Sequence, residues 1–333
     1  MRALTYIAPH QMQLENRPSV VSIDSNELLI NIAHVGICGS DMHAYLGHDE
    51  RRPPPLILGH EASGIVMSDG PLHAQRVAIN PLVVCGACSA CTSGHDNLCA
   101  QRQIISMPPR EGAFAEQLYM PPRNLTVVPD LTPLWHGALC EPMACGWHAV
   151  RLGLEASSVS LPVRSALVLG GGAIGVASAL SLKIQAAPAT VMIVEPNDRR
   201  RQRLSRDLPE FTYAKDLSEH PNGVFDVVID AVGYVGTRRT ASVMARPGGV
   251  IAHIGLGDAL DGLDVRRMTL QEITLVGTYT YTAADFHDTA QAIFDGKFGD
   301  FAWVEHRQLD DGAQAFEDLQ KGAVEAAKVM LTI

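Results

Sequence analysis

Four cysteines lie within fifteen residues, in the pattern Cys85-x2-Cys88-x2-Cys91-x7-Cys99. Four thiolates at this spacing can complete a tetrahedral shell around zinc with no open position, which is typical of a structural site. The alternative is an iron–sulfur cluster, because C-x2-C-x2-C also occurs there, but the fourth cysteine here comes after seven residues and no proline follows it. The pattern favours a structural zinc in residues 85–99, called the cysteine lobe below.

A second set of metal-binding side chains is dispersed along the chain: Cys38 in ICGSDMH, His60 and Glu61 in GHEASG, and Glu141 in CEP. One thiolate, one imidazole and one or two carboxylates describe a catalytic zinc site that keeps a position for water or substrate. Spacing alone leaves open whether they converge. Each also has an ordinary alternative: a small buried side chain for Cys38, a loop histidine for His60 and a surface carboxylate for Glu61.

A glycine pattern predicts a dinucleotide site. Gly170, Gly172 and Gly175 form G-x-G-x-x-G between an apolar strand and a helix. The first glycine permits the tight turn, the second lets the pyrophosphate approach the backbone, and the third lets helix and strand pack. The start of the helix then offers free N–H groups to phosphates. Taken alone, the same spacing also fits a glycine turn in any α/β protein.

Glu195 strengthens the dinucleotide interpretation, because it ends the next apolar strand, where a carboxylate binds the ribose hydroxyls. Its negative charge would repel a 2′-phosphate, so the sequence predicts NAD in preference to NADP. Three arginines follow. Arg199 and Arg201 are assigned to a solvated helix face, whereas Arg200 is expected to lie along the adenosine.

The elements that must position these residues fall into two regions of different pattern. Residues 1–150 contain short apolar runs separated by Pro, Gly and polar clusters, which predicts a β-rich domain. From about residue 160, apolar strands alternate with helices, which predicts a parallel sheet covered on both faces. The expected strands are 166–169, 190–195, 225–230 and 250–256, and the expected helices are 179–186, 199–208, 237–249 and 283–296.

Composition and charge narrow the class of protein. The chain has 333 residues, enough for two domains, and its formal net charge is −10. That sign argues against nucleic acid as a partner. The N-terminal segment lacks a signal-peptide pattern and no apolar run is long enough to span a bilayer, so we expect a soluble cytoplasmic protein. Seven cysteines without a secretory signal argue against a disulfide framework.

The ordered set ICGSDMH, GHEASGIV, the cysteine lobe, CEPMA and VLGGGAIG resembles the zinc-dependent medium-chain dehydrogenase/reductases, over essentially the whole chain. The resemblance implies an α/β protein in which a GroES-like β-rich catalytic domain accompanies a Rossmann domain with a doubly wound parallel sheet. The catalytic domain would comprise residues 1–148 and 289–333, and the Rossmann domain residues 149–288. The active site would lie in the cleft between the two domains.

The resemblance also implies roles for individual residues. Cys38 and His60 match ligands of the catalytic zinc, and Glu61 matches an acidic neighbour that binds zinc directly or through water. Glu141 matches a carboxylate of sorbitol- and threonine-dehydrogenase-like members, although a shifted register would place Cys140 there. Two further residues match the proton relay, Ser40 as its hydroxyl and His43 as its exit to solvent.

For the cofactor, the family implies contacts with the pyrophosphate and the nicotinamide. The matching positions are Ala173, Ile174 and Lys328 for the pyrophosphate, and Ile254, Leu256 and Tyr279 for the nicotinamide. A departure occurs after Tyr279, where an arginine–tyrosine pair of sorbitol dehydrogenases is replaced by Thr280 and Tyr281. This departure weakens a strict sorbitol assignment.

The implied function is oxidation of a secondary hydroxyl of a polyol or similar small alcohol to a ketone, with two zinc ions per chain and NAD. Alternatives within the family are threonine or another amino alcohol, a sugar phosphate, or a simple secondary alcohol. A zinc-free quinone-reductase-like enzyme is disfavoured by the cysteine lobe. A non-catalytic NAD-binding protein would be expected to lose Ser40 or a zinc ligand. A homodimer or homotetramer is expected through the edge strand near residues 273–277.

Overall fold

The computed structural model describes residues 1–157 and 162–333, and in it the chain folds into two units. The first unit contains Met1–Glu141, Thr282–Val324 and Lys328–Ile333, and the second contains Pro142–Tyr281 with Glu325–Ala327. The boundaries expected from the resemblance, after residues 148 and 288, each fall inside a helix, Cys140–Ala156 and Ala283–Phe294.

The first unit is built mainly from short strands. In chain order, its strands up to residue 141 are β1 (Arg2–Ala8), β2 (Gln11–Asn16), β3 (Leu28–Ile37), β4 (Leu56–Ile57), β5 (Glu61–Val66), β6 (Arg76–Ile79), β7 (Leu82–Val83), β8 (Gln103–Ile104), β9 (Gln117–Met120) and β10 (Leu125–Val127). Its helices are α1 (Gly39–Tyr45), α2 (Ser89–Thr92), α3 (Leu134–Ala138) and the first residues of α4 (Cys140–Ala156), with 3-10 turns at Asp96–Leu98 and Pro122–Asn124.

The second unit alternates strands with helices. Its strands are β11 (Ser165–Leu169), β12 (Thr190–Val194), β13 (Thr212–Ala214), β14 (Phe225–Asp230), β15 (Ala245–His253) and β16 (Thr274–Gly277). Its helices after α4 are α5 (Ala173–Gln185), α6 (Asp198–Asp207), α7 (Val235–Met244) and α8 (Val265–Leu270). The strands form one parallel sheet in the order β13-β12-β11-β14-β15-β16.

The two faces of this sheet pack against different helices. Leu167 and Leu169 share an apolar cluster with Met244 of α7, whereas Val168 between them faces α5 beside Gly175. Because the sheet is covered on both faces, its strands are apolar throughout rather than alternating. The order of the strands changes direction between β11 and β14, and ligands of such sheets bind at the carboxyl edge near this point.

One predicted helix is wrong at its end. We expected a helix over 237–249, but α7 ends at Met244 and residues 245–249 begin β15. Pro247 lacks the N–H that a helix needs, and Gly248 adopts a φ of 69°, outside the helical region. The predicted strand at 250–256 ends correspondingly early, at His253.

The C-terminal segment returns to the first unit through α9 (Ala283–Phe294), β17 (Val304–Gln308), a 3-10 turn at Leu309–Asp311, α10 (Gly312–Gln320) and β18 (Lys328–Thr332). β18 lies between β3 and β17 in a seven-stranded sheet. Six of its strands follow the order β10-β6-β5-β3-β18-β17, and the seventh, β9, pairs with β3. The remaining small sheets are β2-β1-β4 and β7-β8. Within the described ranges, no helix has the length and apolar character of a membrane span.

Aromatic and histidine rings from three elements of the first unit pack together. Trp135 of α3 lies 4.2 Å from His136 and 4.7 Å from His306 of β17, measured between ring centroids. Burial is the main reason why the pKa of His136 falls to about 4, and it also lowers the pKa of His306. Burial, with the charge of His306, lowers the pKa of His34 on β3 to about 4. These rings are therefore packed in their neutral forms.

We predict that this packing makes folding sensitive to acid. Histidine in an unfolded chain has a pKa of about 6.5, so the stability from the neutral rings is complete above that pH. It is lost as the pH falls from about 6.5 towards 4. Replacing His136 by Phe should flatten the dependence of the free energy of unfolding on pH, measured with urea. His287→Gln removes an exposed histidine and should leave the wild-type slope; equal slopes for all three proteins would contradict the prediction.

Candidate active site and metal centres

The four cysteines of the lobe converge. Their sulfur atoms all lie within 4.8 Å of one another, with Cys85 Sγ 3.8 Å from Cys91 Sγ and 3.5 Å from Cys99 Sγ. Sulfur atoms that surround a zinc ion tetrahedrally at 2.3 Å are separated by about 3.8 Å. None of the cysteines forms a disulfide in the described part of the chain. The donor set therefore fits a closed zinc site.

Backbone N–H groups favour the thiolate form that zinc requires. Ala87 N and Cys88 N donate to Cys85 Sγ at 3.5 and 3.4 Å. These bonds lower the pKa of Cys85 to about 6. The lobe is joined to the C-terminal segment by Asp96, whose carboxylate accepts a hydrogen bond of 3.1 Å from Ala283 N at the start of α9.

Three of the four dispersed residues also converge. Ligand atoms of Cys38, His60 and Glu61 lie within 4.8 Å of one another, and this group is called the mixed cluster below. Cys38 precedes α1 directly after β3, and His60 and Glu61 stand at the start of β5. Because β3 and β5 pair antiparallel, the end of one strand meets the start of the other. Glu141 is not part of this group, and its role as a ligand stays a prediction.

Gly36 makes room for the Glu61 carboxylate. The two residues are paired across β3 and β5, and a Cβ on Gly36 would lie 2.0 Å from Glu61 Oε2. Only glycine can occupy this position without displacing the carboxylate. The contact explains a glycine to which the sequence motifs alone assign no role.

Lys328 binds Glu61. Its Nζ donates to Glu61 Oε1 at 2.5 Å, to Glu61 Oε2 at 2.6 Å and to Ile37 O at 2.9 Å, and the residue is 4% exposed. These three hydrogen bonds all lie inside the first unit, and the expected contact of Lys328 with the cofactor pyrophosphate stays a prediction. Burial lowers the pKa of Lys328, but the charge of Glu61 outweighs it, so the pKa is raised on balance, and the charge of Glu141 adds to this rise.

Asp41 links the two loops that carry Cys38 and His60, and the sequence analysis missed it. This fully buried carboxylate accepts from Cys38 N at 3.0 Å and from Gly59 N at 3.2 Å, and its Oδ1 lies 3.4 Å from His60 Nδ1. Burial raises the pKa of Asp41, but the charge of His60 and the hydrogen bonds outweigh it, so the net pKa is lowered. The sequence did contain a signal for this contact. Asp41 stands three positions after Cys38, the cap of α1, and an acidic side chain there can accept a hydrogen bond from the backbone N–H of the cap.

The predicted relay residues lie on α1. Ser40 Oγ is 3.4 Å from His60 Nε2, at the edge of hydrogen-bond range, so it borders the mixed cluster. His43 is exposed on the same helix, which is consistent with an exit to solvent.

In the second unit, Gly170 and Gly172 lie in the turn between β11 and α5, and Gly175 lies in the first turn of α5 and packs against it. Gly170 has a φ of 101°, and a Cβ on Gly175 would lie only 1.8 Å from Gly170 O. Gly172 is the cap of α5, and a Cβ there would meet nothing within 4 Å. The turn and the close packing therefore require the first and third glycines, whereas the second leaves open space for a ligand. Ala173 and Ile174 form the first turn of α5.

Glu195 stands beside this turn. It follows β12, is 5% exposed, and accepts from Gly171 N at 3.0 Å and from Asn197 N at 2.8 Å. Arg200 Nη1 lies 3.6 Å from Glu195 Oε2. Glu195 thus borders the glycine turn, and Arg200 lies beside Glu195. The carboxylate is held by backbone N–H groups as well as by its charge partner.

The remaining cofactor candidates lie past the carboxyl ends of two neighbouring strands. Ile254 and Leu256 follow β15, and Tyr279 follows β16. Leu256 is 76% exposed. Because all strands of this sheet are parallel, these residues share the edge at which β11 enters the glycine turn.

Comparison with known families agrees with this architecture. Residues 24–130 match the family model described as alcohol dehydrogenase GroES-like domain, and residues 173–295 match the model described as zinc-binding dehydrogenase. These matches confirm the predicted fold class, a GroES-like domain together with a Rossmann domain.

Individual proteins resemble the chain along its whole length. (R,R)-butanediol dehydrogenase of Saccharomyces cerevisiae is 30% identical, over 96% of this chain and 92% of that protein. L-idonate 5-dehydrogenase of Vitis vinifera is 29% identical, over 94% of this chain and 89% of that protein. The crystal structure of galactitol-1-phosphate dehydrogenase from Escherichia coli superposes with a TM-score of 0.87 at 21% identity, covering 100% of both chains, so it shares the fold.

The cysteine lobe generates a prediction about metal content. Replacing Cys91 by Ser should lower the zinc content from two ions per chain to one and lower the melting temperature, because a structural zinc contributes folding energy. Zinc is measured by plasma mass spectrometry on protein dialysed against chelator-free buffer. Cys145→Ser, outside both clusters, should retain two ions. Two ions in the Cys91→Ser protein would exclude the lobe as a zinc site.

The glycine turn generates a prediction about stability. Gly175→Ala should lower the free energy of unfolding by about 3 kcal/mol or more, because its methyl group would overlap the Gly170 carbonyl. Gly172→Ala should cost about 1 kcal/mol or less, since only the preference of a helix cap is affected. Chemical denaturation of the two variants tests the difference. Equal losses would show that the turn is not close-packed at residue 175.

Proposed function

Because the chain belongs to the zinc-dependent medium-chain dehydrogenase family, we propose that it oxidises a secondary hydroxyl of a polyol or similar small alcohol to a ketone, with NAD as the hydride acceptor. The observation that carries this proposal is the mixed cluster of Cys38, His60 and Glu61. Its thiolate, imidazole and carboxylate form a donor set that a catalytic zinc ion accepts.

Two groups would be bound by the chain during the reaction. Zinc at the mixed cluster, held by Cys38 and His60 with a carboxylate from Glu61 or Glu141, would act as a Lewis acid on the alcohol oxygen. NAD at the glycine turn would take up the hydride. A second zinc in the cysteine lobe would be structural.

The chain's own residues orient the donors and move the proton. Asp41 fixes the loops of Cys38 and His60 through their backbone N–H groups. Ser40 Oγ, next to His60, is the group proposed to accept the hydroxyl proton of the alcohol, and His43 to release it to water. The alcohol thus loses one proton and one hydride, which leaves the ketone.

The preference for NAD rests on Glu195. Its carboxylate beside the glycine turn can accept hydrogen bonds from ribose hydroxyls, and it would repel a 2′-phosphate. Arg200, whose charge already faces Glu195, is proposed to lie along the adenosine.

A polyol substrate is supported by the donor set and by the relatives. Replacing thiolate ligands by carboxylates makes a metal site less soft and more hydrophilic, which suits a substrate with several hydroxyls. The relatives include proteins named as dehydrogenases of butanediol and of idonate.

The proposed assembly is a homodimer or homotetramer through β16. This strand lies at the edge of the six-stranded sheet, and among residues 1–157 and 162–333 no further strand pairs with its outer side. Leu275 on it is 39% exposed.

The test is reduction of NAD, followed by absorbance, across polyols, secondary alcohols, threonine and sugar phosphates, with NADP in parallel. A polyol should give the strongest signal, with NAD alone.

Ser40→Ala should reduce turnover about 100-fold or more without loss of zinc, as expected for removing a group that transfers protons. Cys38→Ser and His60→Ala should abolish turnover, and Cys145→Ser is the matched control. Full turnover of Cys38→Ser would exclude the assignment. A chain that binds zinc and NADH but oxidises nothing would be a non-catalytic NAD-binding protein.

A further inference from the structure

The segment that joins β15 to α8, residues 254–264, has no regular secondary structure and is called the cradle loop below. It contains Ile254 and Leu256, two of the three residues that are expected to contact the nicotinamide. Leu256 is 76% exposed and Leu260 is 75% exposed. A loop that presents large apolar side chains to water needs strong anchors elsewhere, because the hydrophobic effect favours their burial.

The first half of the cradle loop is anchored by backbone hydrogen bonds. Asp230 O accepts from Ile254 N at 3.1 Å and from Gly255 N at 3.0 Å, and Val232 O accepts from Gly257 N at 3.1 Å. Gly233 and Gly255 are in direct contact, since a Cβ on Gly233 would lie 2.2 Å from Gly255 O. This half therefore follows the turn after β14.

The second half is anchored by one side chain. Arg238 of α7 donates through Nη1 to Asp258 O at 3.0 Å, through Nη2 to Leu260 O, and through Nε to Asp261 O at 2.5 Å. Its Nη1 also donates to Gly233 O at 2.6 Å, in the turn that anchors the first half. One guanidinium thus joins both halves of the loop.

Arg238 is 6% exposed, and among the described residues its guanidinium contacts carbonyl groups but no carboxylate. Burying a cation without a counter-ion is unfavourable, and a well-packed apolar side chain at such a place is often at least as stabilising. Packing alone therefore does not explain an arginine here. Its planar fork can bind several carbonyls in fixed directions, which specifies a loop conformation.

We propose that Arg238 is a positioning residue for the cofactor: it holds the cradle loop in the conformation in which Ile254 and Leu256 contact the nicotinamide. This inference rests on the proposed function, because it requires NAD at the glycine turn, with the nicotinamide contacts that the family resemblance implies. Arg238 itself touches neither substrate nor cofactor in this account. Arg238 acts by disfavouring conformations of the cradle loop that cannot bind the nicotinamide.

The test compares NADH affinity, followed by cofactor fluorescence, in the wild type, Arg238→Ala and Arg239→Ala. Arg239 is the neighbouring residue on the same helix and is exposed. A released loop must be ordered again when the cofactor binds, which costs conformational entropy. The Kd of Arg238→Ala for NADH should therefore rise at least about tenfold. Arg239→Ala should bind as the wild type does.

Two readouts separate positioning from a general loss of structure. Added guanidinium, well below denaturing concentrations, should restore NADH affinity to Arg238→Ala and leave Arg239→Ala unchanged. Amide hydrogen exchange without ligand should become faster in residues 254–262 of Arg238→Ala and stay unchanged in β11 and α5. Arg238→Lys keeps the positive charge, but its single ammonium group cannot bind all four carbonyls. Its NADH affinity should therefore lie between that of Arg238→Ala and that of the wild type.

Wild-type affinity in a folded Arg238→Ala protein would overturn the inference and leave the proposed function intact. A lower affinity accompanied by faster exchange across the whole second unit, with no rescue by guanidinium, would also overturn it. A wild type that binds no NADH would overturn this inference together with the proposed function.

Discussion

The ion pair between Lys328 and Glu61 constrains the whole first unit. Both side chains are buried, and taking two charges out of water is costly unless they meet with good geometry. The pair can form only if β18, near the end of the chain, lies beside β3, and if residue 36 is glycine. The separated sequence segments of this unit are thus tied together at the mixed cluster. The same pair keeps Glu61 oriented next to Cys38 and His60.

The two candidate metal centres are built in different ways, and this difference follows their chemistry. The cysteine lobe takes four soft ligands from fifteen consecutive residues, so a single loop can close the shell. The mixed cluster takes one thiolate, one imidazole and a carboxylate from the ends of two paired strands. Its supports, Asp41 and Lys328, come from a helix and from the C-terminal strand. In the proposed function this cluster would also bind substrate, so its shell would not be completed by protein alone and its ligands would need such separate supports.

Sequence reasoning succeeded where the information was local. The spacing of the four cysteines and of the glycines Gly170 and Gly175 reflects contacts within one short segment, and both convergences are present. It failed where a contact depends on tertiary structure. Nothing near Lys328 indicates that its partner is Glu61, about 270 residues earlier in the chain. One local expectation is also wrong: the helix predicted over 237–249 ends at Met244, although Pro247 is itself a local signal against a helix. The role of Arg238 could not be predicted either, because its partners are backbone carbonyls, which have no sequence signature.

The proposed function requires a zinc ion at the mixed cluster in addition to the one in the cysteine lobe. Anomalous diffraction at the zinc absorption edge, from crystals grown without added metal, locates each ion. We expect two peaks per chain, one among Cys85, Cys88, Cys91 and Cys99, and one bounded by Cys38 and His60 with a carboxylate oxygen. A single peak in the cysteine lobe, with none at Cys38 and His60 in fully active protein, would exclude the mixed cluster as a zinc site.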